Sequence, residues 1–377
     1  MNFLLVCGGT AGHINPALAV AMELRRRMPD SKILFVGAGK ELEKKLIPRA
    51  GFHIVNIRMS GLKRGISPDD LFYNLNTIRN LTTAGVKAEK LIRRFEPSAV
   101  IGTGGYICYP VLKKAAQMKI PTVIHGSDAV PGLTTKLLSA TVDKVLVSFP
   151  GLDKLYRRPD RVIFTGTPVR KGFEAPVDGA SGDVGQEPSR RKKPLIVSFW
   201  GSLGAERMNE AIASFIKLNI EGGQFDHIHA TGKNCGVEGM MARLKRLGVT
   251  GMPPPGIEIR EYIDDMQTAM ASADIVVCRA GASTIAELTV MGKPAVLVPS
   301  PYVTNNHQEE NAKQLQKAGG AIMLREKDCT GEKLFEIVSS LMGDRDRLTR
   351  MSHAQMSLAA PKATEKIVDI VLGLVRE

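Results

Sequence analysis

The chain has 377 residues, 44% hydrophobic and 24% charged, a globular composition too long for one ordinary core and comfortable for two domains. Aromatic residues make up only 5%, which argues against stacking recognition of single-stranded nucleic acid. Lys and Arg outnumber Asp and Glu by 51 to 38, a net charge of +13, which favours anionic partners such as phosphates or an acidic membrane surface, or is simply a well-solvated basic exterior.

The first residues, Met-Asn-Phe-Leu-Leu-Val-Cys-Gly-Gly, carry no basic leader, and the apolar run breaks at glycine. They read as a first strand rather than a signal peptide. Further strand-like runs follow at Ile33–Val36, Ala99–Gly102, Thr122–His125, Val145–Val147 and Val162–Phe164. They are apolar at successive positions, as strands buried on both faces of a parallel sheet are. Helical patterns such as Asn15–Met28 and Ala84–Phe95 lie between them. Such alternation predicts an α/β sheet with helices on both faces.

The segment 174–193, rich in Gly, Pro, Ser and charge and ending in Arg-Arg-Lys-Lys, reads as a linker. Beyond it the same grammar restarts at Leu195–Trp200, with strands near Ile228, Ile257, Ile275–Cys278 and Ala295–Val298. The division is therefore a first α/β domain over 1–173 and a second over 194–354. The last helix, within about 355–377, is expected from the two-domain architecture to pack back on the first domain. The five cysteines are scattered, without a CxxC pair, and read as free thiols in a reducing compartment rather than disulfides or a zinc site. No stretch reaches the ~18 uninterrupted apolar residues of a spanning helix.

Four glycine-rich turns end strands: Gly8-Gly9-Thr10-Ala11-Gly12-His13 with a helical pattern just after Pro16, Gly102-Thr103-Gly104-Gly105-Tyr106, Gly201-Ser202-Leu203-Gly204-Ala205, and Arg279-Ala280-Gly281-Ala282-Ser283-Thr284. Glycine lets backbone approach a ligand, and a helix N-terminus offers N–H groups and partial positive charge. Each turn alone is equally a tight connection; four at strand ends point to a diphosphate-bearing ligand. None is the dinucleotide fingerprint, which needs GxGxxG and a later acidic residue. In the fourth turn, Ser283 or Thr284 is expected to cap a helix holding Glu287 in its first turn. His13 stands where a catalytic base would face a ligand, or is a capping histidine. His125-Gly126-Ser127-Asp128 follows a buried strand, and Asn305–Asn311 is dense in hydrogen-bonding groups, suited to a sugar or to a solvated helix start.

In this order and spacing, these segments resemble the MurG family of lipid-linked N-acetylglucosaminyltransferases across nearly the whole chain. The matching strings are the four turns with Pro16, Pro110, Asn209 and Glu287, together with Ala129-Val130-Pro131-Gly132-Leu133-Thr134, Gly166-Thr167-Pro168-Val169-Arg170, Tyr262-Ile263-Asp264-Asp265-Met266 and Asn306-His307-Gln308 with Asn311-Ala312. The resemblance implies the GT-B architecture, two doubly wound Rossmann-like domains facing across a cleft. It implies a hexosyltransferase that inverts the sugar as it moves N-acetylglucosamine from UDP-N-acetylglucosamine to the 4-hydroxyl of a lipid-linked muramyl-pentapeptide. That places it at the cytoplasmic face of the bacterial membrane, as a peripheral protein of peptidoglycan synthesis. No cofactor, obligatory metal or nucleic acid is implied. The alternatives are a related transferase with another lipid acceptor, or a non-catalytic nucleotide-sugar-binding protein.

Carried over by motif, Ser202 would meet the donor diphosphate and Ile263 the uracil. Ala282, Ser283, Thr284, Ile285, Ala286 and Glu287 would hold phosphates and ribose, Glu287 accepting ribose hydroxyls. His307 and Gln308 would hold the sugar, and Arg170 would reach the donor. Thr10, Ala11 and Gly12 would face the sugar or the acceptor diphosphate, with His13 as base. The family has His-Glu-Gln-Asn where this chain has His125-Gly126-Ser127-Asp128, and Asp128, at the position that would contact the donor sugar, accepts hydrogen bonds without donating them when ionised. Trp200 stands where a glycine is usual. Finally, Leu71, Phe72, Leu75, Ile78 and Leu81 recur near helical spacing among Lys63, Arg64, Arg79, Lys87, Arg93 and Arg94. That is either an amphipathic face on anionic lipid or a core-facing helix with a basic outer side.

Overall fold

The structure is a computed structural model; it describes residues 1–57, 59, 67–169, 173 and 193–376, with the backbone alone at 68 and 70–79. It divides into two compact units, Met1–Lys171 with Ala360–Glu377, and Gly172–Ala359.

In the first unit, in chain order, are β1 (Asn2–Cys7), α1 (Ala11–Arg27), β2 (Lys32–Gly37), α2 (Glu41–Arg49), β3 (His53–Asn56), α3 (Pro68–Phe95), β4 (Ala99–Gly104), α4 (Cys108–Gln117), β5 (Thr122–Gly126), α5 (Leu133–Leu138), β6 (Lys144–Val147) and β7 (Val162–Phe164). The strands form one parallel sheet in the order β3-β2-β1-β4-β5-β6-β7. β1 and β4 are apolar at nearly every position because helices cover both faces. The order reverses between β1 and β4: the chain winds outward from β1 through β3, then resumes beside β1. Such a switch point leaves the loops after both strands open to a ligand.

The second unit holds β8 (Leu195–Phe199), α6 (Glu206–Gly222), β9 (Asp226–Ala230), α7 (Gly236–Arg246), β10 (Ile257–Arg260), α8 (Met266–Ser272), β11 (Ile275–Cys278), α9 (Ala282–Met291), β12 (Ala295–Leu297), α10 (His307–Ala318), β13 (Ala321–Met323), α11 (Gly331–Met342) and α12 (Arg345–Ser357). Its parallel sheet runs β10-β9-β8-β11-β12-β13, with the switch between β8 and β11. Two short strands that the sequence reading passed over, β3 and β13, flank the sheets at their edges, where brevity and partial exposure leave little apolar pattern.

The last helix, α13 (Ala363–Arg376), belongs to the first unit. Its Ile367, Val368 and Val371 are at most 1% exposed and join the core built on Phe3, Leu5 and Leu24. Arg27 at the end of α1 pairs with Asp369, and Lys366 Nζ donates to the Phe164 carbonyl at 2.6 Å. Gly166, at φ +82°, sits where the chain returns; a Cβ there would lie 2.1 Å from that of Ala360.

Among the described residues no helix is long and apolar enough to cross a membrane. α3 is a helix of 28 residues, but Lys63 and Arg64 lie outside the described residues, as do the side chains of Leu71, Phe72, Leu75, Ile78 and Arg79.

Candidate active site

At the switch point of the first unit two glycine turns interlock. Gly8 N–H donates to the Gly104 carbonyl at 3.1 Å. Gly105, at φ +91°, presses against Gly8: a Cβ at Gly105 would stand 2.7 Å from the Gly8 oxygen. Only glycine permits that approach at that φ. α1 starts earlier than the sequence suggested. Thr10 is its extended N-cap, Ile14 N–H donates to the Thr10 carbonyl, and Pro16 lies inside the helix. Ala11, Gly12 and His13 therefore form the first turn of α1 rather than its loop; His13 N–H donates to the Thr10 carbonyl at 3.1 Å, and the N–H groups ahead of it point out along the helix axis.

His13 is half-buried, its ring lying against Gly104, where a Cβ would come within 2.4 Å of Cδ2. Its Nδ1 is 2.8 Å from the Gly8 carbonyl oxygen. A carbonyl can only accept, so Nδ1 carries the proton, and in the neutral ring the lone pair is on Nε2. Thr103 Oγ1 donates to the His13 carbonyl at 2.7 Å, holding the first turn of α1 against β4.

His125, the next strand end, is 2% exposed, and its Nε2 donates to the Gly166 carbonyl at 2.9 Å. Burial pulls its pKa down to about 4, against smaller upward pulls from that bond and from Asp128. It is thus a neutral histidine that anchors β5 to the 165–168 segment. Asp128 is half-buried, and its charge also reaches Tyr156, whose phenol burial holds well above its usual range.

One residue that the sequence reading missed is Glu43, in the first turn of α2. It is fully buried, with Oε1 accepting Gly9 N–H at 2.8 Å and Oε2 accepting Gly39 N–H at 2.8 Å and Lys40 N–H at 3.1 Å. In Glu-Leu-Glu-Lys-Lys it reads as one charge of a solvated helix. The available signal was its place four residues after Gly39, where an N3 carboxylate reaches back to its helix start.

In the second unit the loops after β8 and β11 are adjacent. Gly201 and Gly204 have φ +83° and +79°. Gly204 packs on Gly232, and a Cβ at Gly204 would meet the Thr231 carbonyl at 2.2 Å. Lys233 and Asn234 N–H groups donate to the Ser202 and Leu203 carbonyls, both at 3.1 Å. The loop is thereby pinned and the Ser202 residue left exposed. Beneath it runs a buried polar chain. Asn209 Nδ2 donates to Thr231 O at 2.9 Å, so its Oδ1 accepts from His229 Nε2 at 3.2 Å. His229 Nδ1 then accepts the Ser198 hydroxyl at 2.7 Å, and Ser198 Oγ accepts from His227 Nε2 at 2.8 Å.

The helix after β11 begins at Ala282, with extended Gly281 as N-cap, no side-chain cap and no acidic residue in its first turn. The expected Ser283 or Thr284 cap is therefore corrected. Gly281 takes the extended conformation that opens the helix, and Ile285 N–H already donates to its carbonyl. Among the described residues, the buried Ser283 Oγ has no hydrogen-bond partner. Glu287 falls in the second turn and is 7% exposed, and Ile285 is turned into the core. Arg279 is held by the Val298 carbonyl at 3.1 Å and by Glu326 at 2.6 Å, 5.8 Å from the Trp200 ring centroid. Trp200 itself is buried in the core.

At the start of α10, His307 Nδ1 donates to the Thr304 carbonyl at 2.7 Å. Gln308 Oε1 accepts Ser300 N–H at 2.9 Å, which turns its amide nitrogen into the outward donor. Asn311 ties this helix to the β11 loop through the Ala280 carbonyl at 3.2 Å. Ile263 lies beyond β10, at the sheet edge, with its side chain 1% exposed. Arg170 lies outside the described residues.

Comparison with known proteins agrees with this architecture. Residues 3–147 match the model of the glycosyltransferase family 28 N-terminal domain, and residues 195–367 that of the glycosyltransferase family 28 C-terminal domain. A UDP-N-acetylglucosamine–N-acetylmuramyl-(pentapeptide) pyrophosphoryl-undecaprenol N-acetylglucosamine transferase of Acetivibrio thermocellus is 41% identical over 100% of this chain and 99% of its own. A Bacillus cereus enzyme of the same name, with the number 1, is 38% identical over 100% of this chain and 100% of its own. The crystal structure of Acinetobacter baumannii MurG superposes with a TM-score of 0.75 at 26% identity, covering 99% of this chain and 100% of that one. A Staphylococcus aureus MnaA–UDP structure shares the fold at 14% identity, with a TM-score of 0.66 over 100% of this chain and 98% of its own. With both halves of the family pattern present and relatives of this identity matched from end to end, the chain belongs to glycosyltransferase family 28, as a member of the MurG family.

Proposed function

We propose that the protein transfers N-acetylglucosamine from UDP-N-acetylglucosamine to the 4-hydroxyl of a lipid-linked N-acetylmuramyl-pentapeptide, with inversion at the anomeric carbon. The names of the full-length relatives support the donor and acceptor. The observation that carries the chemistry is the His13 imidazole, with Nδ1 committed to the Gly8 carbonyl and its lone pair on Nε2.

In this reading the acceptor hydroxyl attacks the anomeric carbon, and His13 Nε2 takes its proton. The C1–O bond to the diphosphate breaks and UDP leaves with the electron pair. Its charge is met by N–H groups at Ser202 and at the first turn of α9, from Ala282 to Thr284. Ile285 and Ala286 contribute backbone only, Glu287 accepts the ribose hydroxyls, and the peptide groups beside Ile263 read uracil. The Gln308 amide nitrogen and His307 hold the sugar, with Arg170 reaching the donor. Thr10, Ala11, Gly12 and Asp128 face the acceptor or sugar. An acceptor on a lipid implies work at an anionic membrane surface, for which the net charge of +13 is favourable.

The test is UDP release from UDP-N-acetylglucosamine with and without a short-chain muramyl-pentapeptide lipid analogue. Acceptor-dependent release that is unaffected by EDTA and is lost in His13→Ala supports the whole reading. Release that survives His13→Ala moves the base elsewhere. Donor binding without release points to another acceptor, and the Gly126-Ser127-Asp128 segment is then the place to look.

A further inference from the structure

Glu43 is out of place as an ordinary helix-capping residue. Its bond to Lys40 N–H is the carboxylate half of a capping box. Its bond to Gly9 N–H, 34 residues away, is not. The local sequence makes room for it: a Cβ at Gly37 would stand 2.5 Å from Oε2, and one at Gly8 3.3 Å from Oε1. A fully buried carboxyl that accepts three backbone N–H groups and has no cationic partner among the described residues is costly to keep, which calls for a specific role.

What it touches is informative. The Gly9 N–H and the Gly8 C=O belong to one peptide group. Glu43 Oε1 takes the N–H at 2.8 Å, and the C=O takes the His13 Nδ1–H, also at 2.8 Å. The sequence is carboxylate, amide, imidazole, joined by two short hydrogen bonds through one planar, polarisable unit. A charge-assisted bond at the N–H end draws electron density toward the carbonyl oxygen and strengthens the bond it accepts. We propose that Glu43 is a positioning residue for His13, acting through the Gly8–Gly9 peptide to fix the Nδ1–H tautomer and aim Nε2. This rests on the reading of His13 as the base.

The groups around this line are few. Cys7 on β1 lies close enough that Glu43 adds to the upward push that burial gives its thiol. Cys108 on α4 donates to the Val6 and Gly104 carbonyls. His125 on β5 is neutral above about pH 4. None offers the Gly8 carbonyl or the His13 ring a competing charge-assisted bond.

The experiment uses the full chain with 15N-labelled histidine, the His13 signals being assigned by their loss in His13→Ala. At pH 8 wild-type His13 is expected as the Nδ1–H tautomer. In Glu43→Gln, which keeps the shape of the side chain, that signal is expected to shift and the Nε2–H form to appear. kcat is expected to fall about 10- to 100-fold, as losses of an orienting partner do, with donor KM unchanged. A Glu43→Gln protein with unaltered His13 signals and kcat overturns the proposal. So does a wild-type His13 found as the Nε2–H tautomer, a result that needs no variant to fold. Full acceptor-dependent turnover in His13→Ala sinks the base reading instead, while the nitrogen signals still decide whether Glu43 holds the ring.

Discussion

The geometry around His13 depends on a missing side chain as much as on those present. Gly104 has φ +123°, and an added Cβ would lie 2.4 Å from His13 Cδ2 and 2.7 Å from Nε2. Gly104→Ala therefore strains the backbone and pushes the imidazole off the Gly8 carbonyl. Displacing a catalytic group by ~1 Å can cost on the order of 100-fold in rate. The expected outcome is a kcat reduced to that degree, with UDP affinity intact because the residues proposed to hold the nucleotide belong to other strands. Equal losses of kcat and UDP affinity would show that Gly104 serves the fold instead. The need for glycine here was legible in the string Gly102-Thr103-Gly104-Gly105, but its reason was not. Sequence shows that a turn follows β4, whereas the pressure of a histidine 91 residues away on that turn exists only in three dimensions. Glu43 could be read as a helix-start carboxylate but its bond to Gly9 could not, for the same reason: that partner is the peptide of another turn.

At the level of elements, the strands buried on both faces were plain in the sequence because burial on both sides makes a run apolar at every position. The helix starts were not. α1 and α9 both open on an extended residue without a side-chain cap: α1 opens at Thr10, ahead of the Pro16 after which the helical pattern begins, and in α9 Ser283 and Thr284 lie inside the first turn that Gly281 opens. The turn after β8 illustrates how an element is held for function. Gly204 and Gly232 approach so closely that Gly204→Ala sets a Cβ against backbone, not against a yielding side chain. We expect UDP affinity to fall at least tenfold in Gly204→Ala, read by titration calorimetry, while unit 1 melts normally; unchanged affinity would remove this loop from the donor site. α13 was placed by analogy of architecture, since nothing in its residues names a partner. Its core side chains now make the case physically. Ile367→Ala leaves a cavity between α13 and α1 and should cost about 2–5 kcal/mol of first-unit stability. A loss below ~1 kcal/mol in urea titration would mean that α13 is only loosely attached.

Over the whole molecule, the buried histidines give the two units different responses to acid. Burial lowers His227 to about 3 and holds His229 well below its usual range, both in the second unit, and lowers His125 to about 4 in the first. Unfolding returns each to an ordinary value near 6.5. Below that pH the unfolded state binds protons that the folded state refuses, so stability falls as pH drops from 6.5 toward the folded values. The carboxylates that pairing holds low, Glu23 and Glu309 at about 2, begin to contribute only nearer their unfolded 4.5. Between pH 6 and 5 the slope therefore belongs mainly to histidines, roughly 1 kcal/mol per pH unit for each. Trp200, the single tryptophan, is buried in the second unit and reports that unit alone. Its fluorescence in urea titrations should show stability falling by about twice that slope, for two histidines. His227→Gln keeps an amide donor toward Ser198 but cannot titrate, so it should remove about half the slope. A variant with the wild-type slope would mean that His227 is protonated in the folded protein. The network under the turn after β8, Asn209 to His227, would then have a proton arrangement other than the one its hydrogen bonds dictate.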